Sequence, residues 1–148
     1  MSMSLKQWSD NGWLKAHKTS KEEIEALLGI VERDLKDAAA DISPDSRFRV
    51  AYTAALSLCT ILLYGEGYAP AKESLRHYRT LAALPLILGK EKEADARYLD
   101  TCRIKRSKAE YDYAGVATHE EAKELISFTN ELRDEVIAWL KIQHPQLI

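Results

Sequence analysis

Residues 44–64 constrain the fold most, because they read as a helix that is apolar around most of its circumference. Ser43 stands in the N-cap position and Pro44 in the first helical position. Gly65 follows Tyr64 where the helix should end. A helix without a polar face has to be covered by other elements, so the sequence predicts a central helix around which the rest of the chain packs.

Two further segments carry a single apolar face and predict amphipathic helices. The first opens with Ser20 and Glu23 in the spacing of a capping box. The second opens with Thr118 and Glu121 in the same spacing. The apolar stripes comprise Ile24, Leu27, Leu28, Val31, Leu35 and Ala38 in the first segment, and Ala122, Leu125, Ile126, Leu132, Val136 and Leu140 in the second.

The remaining segments also favour helices. Helical patterns run through residues 71–88, where Pro85 should bend or break the helix, and from residue 92 to the YDY motif. A shorter helix is predicted around residues 5–16, and no window alternates with period two for long enough to predict a strand. We therefore expect an all-α fold, an antiparallel bundle of four to five helices with a short N-terminal helix, in one domain over residues 1–148.

The composition limits the functional class. The chain has 148 residues, a net charge of −2 and 46% hydrophobic residues, so any affinity for nucleic acid must be local. The N-terminal residues lack a signal-peptide pattern, and the apolar stretches look too short and too interrupted to span a bilayer. These features predict a cytoplasmic protein that does not contact a membrane.

Neither the cysteines nor the histidines are spaced as ligands. Cys59 and Cys102 are isolated among apolar neighbours, which predicts buried thiols. The histidines are scattered without metal-ligand spacing, and the chain has no glycine-rich phosphate loop. We therefore expect neither a metal nor a cofactor.

The sequence RIKRSKAEYDYAG, residues 103–115, is unusual in a nearly neutral chain. It places four cations in six residues, with no acid among them, and YDY follows after two further residues. The cations are Arg103, Lys105, Arg106 and Lys108. Such a cluster is either a solvated helix face or a local site for an anion.

Arg106 is the cation that distinguishes these alternatives. The inward stripe of its helix runs through Tyr98, Cys102, Ala109 and Tyr113, and Arg106 falls on the same stripe. A guanidinium that faces a core or groove needs a carboxylate, carbonyl groups or a ligand anion. Glu110, four residues later, could supply an internal salt bridge, so spacing alone leaves both alternatives open.

The order of these segments resembles the HEPN superfamily, over roughly residues 20–140. An apolar central helix is followed by a basic helix ending in RSKAEYDY, a short loop and a long acidic amphipathic helix. The pattern is closest to small HEPN-like proteins whose equivalent helix ends in an arginine-rich stretch, then alanine, an acid and YD, here residues 109–112. The resemblance implies a helical domain that forms homodimers with a composite site.

The resemblance also implies roles for individual residues. Arg106 matches the arginine of the superfamily's nuclease motif, and Ser107 matches the polar residue after it. Tyr111 stands where that motif has its histidine, which makes Arg106 and Tyr111 the implied catalytic pair. Tyr113 matches a tyrosine that nucleotidyltransferase partners modify in some toxin–antitoxin pairs. The implied RNA- or nucleotide-binding residues are Arg103, Lys105, Arg106, Ser107 and Lys108.

The tyrosine at position 111 decides what activity to expect, because an ordinary phenol, with a pKa of about 10, is a poor base at neutral pH. We expect a homodimer that binds RNA or a nucleotide, is weakly or not catalytic, and acts beside a minimal nucleotidyltransferase or an antitoxin. One alternative is a metal-independent endoribonuclease in which Tyr111, Asp112 or His119 moves the proton, with His77 as a further substitute. The other is a purely structural helical bundle. If Tyr111 occupies the position of the motif's histidine, Tyr111→His should create or raise RNA cleavage that depends on Arg106.

Overall fold

The computed structural model describes residues 3–148 and has helices over most of their length. The helices are α1 (Leu5–Asp10), α2 (Lys21–Ala38), α3 (Pro44–Gly65), α4 (Arg76–Ala82), α5 (Leu84–Leu88), α6 (Glu93–Tyr111) and α7 (His119–Gln143), and the strands are β1 (Leu14–Ala16) and β2 (Tyr68–Pro70). Single 3-10 turns span Glu73–Leu75, Lys90–Lys92 and Pro145–Leu147. The all-α prediction is confirmed, whereas the HEPN-like arrangement of the bundle stays a prediction.

The central helix is α3, as its apolar circumference predicts. It contacts α2, α4, α6 and α7, and its buried side chains include Phe48, Leu58 and Ile61. The side chain of Ser43 caps its first turn by accepting a hydrogen bond from the backbone N–H of Ser46 at 3.1 Å. The expectation that no apolar stretch is long enough for a bilayer is wrong for this helix, which qualifies by length and composition. More than half of its apolar window is buried inside the protein, as in a core helix.

The two predicted capping boxes differ in the structure. The Thr118 side chain accepts from the backbone N–H of Glu121 at 3.1 Å, and the Glu121 carboxylate accepts from the backbone N–H of Thr118 at 2.9 Å. At α2 only the first half forms, through Ser20. The Glu23 carboxylate instead accepts from Thr19 and pairs with His17, each at 2.7 Å. The contacts with His17 and Thr19 therefore take the carboxylate that the second half of this capping box would need.

The prediction for the N-terminal segment is wrong beyond Asp10. Helix α1 ends there, and Gly12 turns the chain with φ of +78°, a conformation that glycine adopts at little cost. The residues after the turn form β1, which pairs antiparallel with β2 so that Leu14 faces Pro70. Three residues are too few for period two to be visible in the sequence, and the partner strand lies more than fifty residues away.

The predicted helix over residues 71–88 is broken, as Pro85 suggested. Helix α4 begins only at Arg76, and Ala83 separates it from the short α5, which contains Pro85. Helix α6 ends at Tyr111, two residues before the end of the predicted segment. Both cysteines are free and buried, as expected.

Candidate anion-binding groove

A solvent-open groove with a cavity volume of about 530 Å³ lies between α4, the turn before it, and α6. We call it the basic groove. The residues that line it are Glu73, Ser74, Leu75, His77, Tyr78, Arg103, Arg106 and Ser107. The Glu73 carboxylate lies 3.4 Å from Nε of Arg76. Residues 103 and 106 are one helical turn apart, so their side chains leave the same face of α6. The packing of α4 against that face brings in the residues near His77.

Arg106 faces inward as its position on the helix predicts, and it is both paired and open to the groove. Its Nη2 lies 3.0 Å from a carboxylate oxygen of Glu110, and its side chain is 23% exposed. Its Cζ lies 5.8 Å from the centre of the Tyr52 ring. The Nε atom is buried and has no hydrogen-bond partner among residues 3–148. The salt bridge to Glu110 therefore leaves the guanidinium only partly satisfied.

Arg103 also lines the groove and has a similar environment. Its Nε donates to the Asp100 carboxylate at 2.8 Å, and its Cζ lies 5.8 Å from the centre of the Tyr78 ring. Each of the two arginines therefore has a carboxylate neighbour on its own helix. A guanidinium has five N–H donors, so one carboxylate leaves donors for a further anion.

His77 joins Arg106 in this groove although the two residues are far apart in the sequence. Its Nδ1 lies 3.4 Å from the hydroxyl of the buried Tyr52. Burial lowers the pKa of His77, and the positive charges of Arg76 and Arg106 lower it further. Burial raises the pKa of Tyr52, so its phenol keeps its proton. The groove thus holds a histidine that is neutral at pH 7 next to an arginine.

The predicted five-residue binding cluster is divided between two faces of α6. Arg103, Arg106 and Ser107 line the basic groove. Lys105 lies on another face, where its Nζ is 2.6 Å from a carboxylate oxygen of Glu121 on α7. This hydrogen bond lowers the pKa of Glu121. Lys108 is exposed and does not line the groove.

The tyrosines of YDY lie outside the groove. Tyr111 is the last residue of α6 and is 73% exposed. Tyr113 is 63% exposed, so its predicted place on the inward stripe is wrong. The helix ends before it, and the helical period no longer applies to its position. His119, in the first turn of α7, also lies elsewhere, with its Nδ1 3.3 Å from Nη1 of Arg47.

Asp45 holds the loop that carries Tyr113, a role that sequence analysis missed. Its carboxylate accepts hydrogen bonds from the backbone N–H of Gly115 at 2.6 Å and of Ala117 at 2.9 Å. These bonds, with that to Ala117 contributing most, lower the pKa of Asp45. An acid in the first turn of a helix is so common that it gives no signal of a contact seventy residues away.

We expect Asp45→Asn to lower the free energy of unfolding by about 1 kcal/mol at pH 7, because one of two charge-assisted acceptors is lost. The folded-state pKa of Asp45 lies below its unfolded value, so its stabilisation is present above about pH 4 and disappears as the pH falls through the folded pKa. Urea denaturation at pH 7 and pH 3 measures both effects. The control is Asp41→Asn, an exposed acid on the preceding loop. Equal losses in both variants at pH 7 would contradict the loop-holding role.

Comparisons of the chain with protein-family models, with curated proteins and with solved structures find no match. The HEPN resemblance therefore rests on the sequence pattern of the basic helix and its neighbours.

Proposed function

We propose that this chain is a HEPN-like homodimeric protein that binds RNA or a nucleotide by its phosphate in the basic groove. The observation that carries the proposal is the convergence of two guanidinium groups, Arg103 and Arg106, on one open groove beside Ser107. Arginine forks match phosphate oxygens in geometry and charge, and a serine hydroxyl adds a further donor. A purely structural bundle does not require two arginines on one open groove.

Carboxylates in and beside the groove make the affinity modest. Glu73 lines the groove, where its carboxylate lies 3.4 Å from Arg76. Asp100 and Glu110 each neutralise part of one guanidinium, so a phosphate has to share donors with them. An anion gains less from a paired arginine than from a free one, because the local potential is already reduced. Weak, salt-sensitive binding follows.

The proposed RNA ligand is single-stranded and not a duplex. Tyr78 is 43% exposed and lines the same groove as the two arginines, with the Cζ of Arg103 5.8 Å from the centre of its ring. Unstacked bases can pack on such an aromatic face, and this contact accepts any base. A duplex keeps its bases stacked inside and cannot use it.

The proposal includes a two-fold homodimer and a protein partner. The superfamily's sites are composite, and the exposed end of α6, with Tyr111 and Tyr113, is free to take part in such an arrangement. An exposed hydroxyl at Tyr113 is accessible to a modifying enzyme. A minimal nucleotidyltransferase or an antitoxin is the partner that the resemblance suggests.

Salt dependence of RNA binding tests the proposal. We expect a fluorescent single-stranded RNA to bind with a slope of log affinity against log salt of about −1.4, since each of two phosphates contributes about −0.7. A slope near −2.8 would mean that all four cations of the cluster contact phosphate. Fluorescence anisotropy over a range of salt concentrations gives the slope. Absence of binding at low salt to RNA and to nucleotides alike would refute the proposed function.

The second candidate is the metal-independent endoribonuclease, and His77 is the observation that favours it. The basic groove places a neutral imidazole beside Arg106, although the motif position itself holds Tyr111. Proton transfer near pH 7 is what a phenol lacks and a histidine provides. This candidate assigns proton transfer to His77 and phosphate binding to Arg106.

A further inference from the structure

Tyr78 also borders a second cavity, of about 480 Å³, which lies between α4–α5 and α6. We call it the apolar compartment. Its apolar lining is Leu81, Ala82, Pro85 and Ala96, and its wall also carries the charged side chains of Glu93, Arg97 and Asp100 and the hydroxyl of Thr101. Tyr78 lines both cavities, so the two are neighbours on either side of this side chain, and we call the pair the two-part groove.

We propose that this two-part groove takes a nucleoside monophosphate unit, either free or as the terminal residue of an RNA. The phosphate lies at Arg103 and Arg106, and the base passes Tyr78 into the apolar compartment. This inference rests on the proposed function and adds the unit that is recognised. A phosphate group alone does not fill the groove, because cavities of about 300–1,000 Å³ are of the size that holds whole small molecules.

The chemistry of the lining selects a base over other apolar groups. Tyr78 offers an exposed aromatic ring, and stacking of one base on such a ring contributes about 1–3 kcal/mol. The ring also has cationic neighbours, with the Cζ of Arg103 at 5.8 Å and that of Arg79 at 5.7 Å from its centre. The carboxylate of Asp100 and the hydroxyl of Thr101 can pair with the polar edge of a base. An alkyl chain would leave these groups unmatched.

Calorimetric titration of the wild type tests the inference with adenosine 5′-monophosphate, ribose 5-phosphate and octyl phosphate. We expect the nucleotide to bind at least about 5-fold more tightly than ribose 5-phosphate, which is the lower limit of the stacking contribution. Octyl phosphate should bind no better than ribose 5-phosphate. Competition against a fluorescently labelled adenosine 5′-monophosphate distinguishes a terminal RNA residue from a free nucleotide as the source. The competitors are a 5′-phosphorylated RNA and the same RNA without its terminal phosphate.

A matched pair of variants locates the base. Ala96→Leu fills the apolar compartment from α6 and should reduce nucleotide affinity to that of ribose 5-phosphate, leaving ribose 5-phosphate affinity unchanged. Ala94→Leu, on an exposed position of the same helix, should change neither affinity. Because Ala96 also packs against the core, Tyr78→Ala provides a second variant at an exposed position and should lower nucleotide affinity in the same way.

The outcomes separate this inference from the proposed function. Equal affinity for the nucleotide and ribose 5-phosphate, or RNA binding without nucleotide binding, would overturn the base compartment and leave phosphate binding intact. If octyl phosphate binds as tightly as the nucleotide, the compartment takes an alkyl chain and the proposed base contact is wrong. Loss of all binding, to RNA and to every phosphate compound, would refute both.

Discussion

A double variant with glutamine at Arg103 and Arg106 should bind single-stranded RNA about 100-fold more weakly than the wild type. Hydrogen bonds to charged groups contribute about 1.5–3 kcal/mol each, and loss of two such contacts at the lower value amounts to roughly 3 kcal/mol. Glutamine keeps much of the side-chain length and can still pack beside Tyr52 and Tyr78, while the charge disappears. Fluorescence anisotropy at constant low salt measures the change.

The matched control is a second double variant with glutamine at Lys105 and Lys108, which removes the same amount of charge from the same helix. Lys105 is held by Glu121 at 2.6 Å on another face, and Lys108 lies outside the groove. We expect this variant to lose less than about 5-fold, through long-range electrostatics alone. Circular dichroism confirms that both variants remain helical. Equal losses in the two would show that net basic charge, and not the groove, binds RNA.

The endoribonuclease candidate predicts that the wild type cleaves single-stranded RNA in EDTA and that His77→Gln lowers the rate by about 10²–10⁴-fold. RNA affinity should stay within a few-fold of the wild type, because glutamine does not remove either arginine. Burial and the nearby arginines lower the pKa of His77. If His77 is the base, the cleavage rate therefore rises with pH through a midpoint below about 6.5 and levels off towards pH 7. Cleavage of an end-labelled RNA at a series of pH values gives both quantities.

Two further variants separate the groove from the motif. His119→Gln should leave cleavage unchanged, because this histidine contacts Arg47 and does not line the groove. Tyr111→His tests the motif position directly, since the resemblance predicts that it creates or raises cleavage dependent on Arg106. An inactive wild type together with an active Tyr111→His variant would support the motif position and exclude proton transfer by His77. No cleavage by any of these proteins would leave RNA or nucleotide binding as the function.

The helices and the inward direction of Arg106 could be predicted from the sequence, because both depend on residues close together in the chain. The period of 3.6 residues places Cys102 and Arg106 on one face whatever packs against it. The caps at Ser43 and Thr118 are likewise local, formed with a backbone N–H three residues later. The same local rule failed at Tyr113, where the helix had already ended.

The composition of the site was decided by tertiary structure. His77 and Arg106 line one groove because α4 packs against α6, a contact between elements distant in the chain. The helical period already places Lys105 on another face than Arg103 and Arg106, and tertiary packing adds its partner there, Glu121 of α7. Asp45 reaches the backbone of Gly115 through a contact between residues seventy positions apart. Helix periodicity fixes which residues share a face of one helix, but it does not say which other helix packs against that face. That choice depends on how the buried side chains of several helices fit together, and such contacts join residues distant in the sequence.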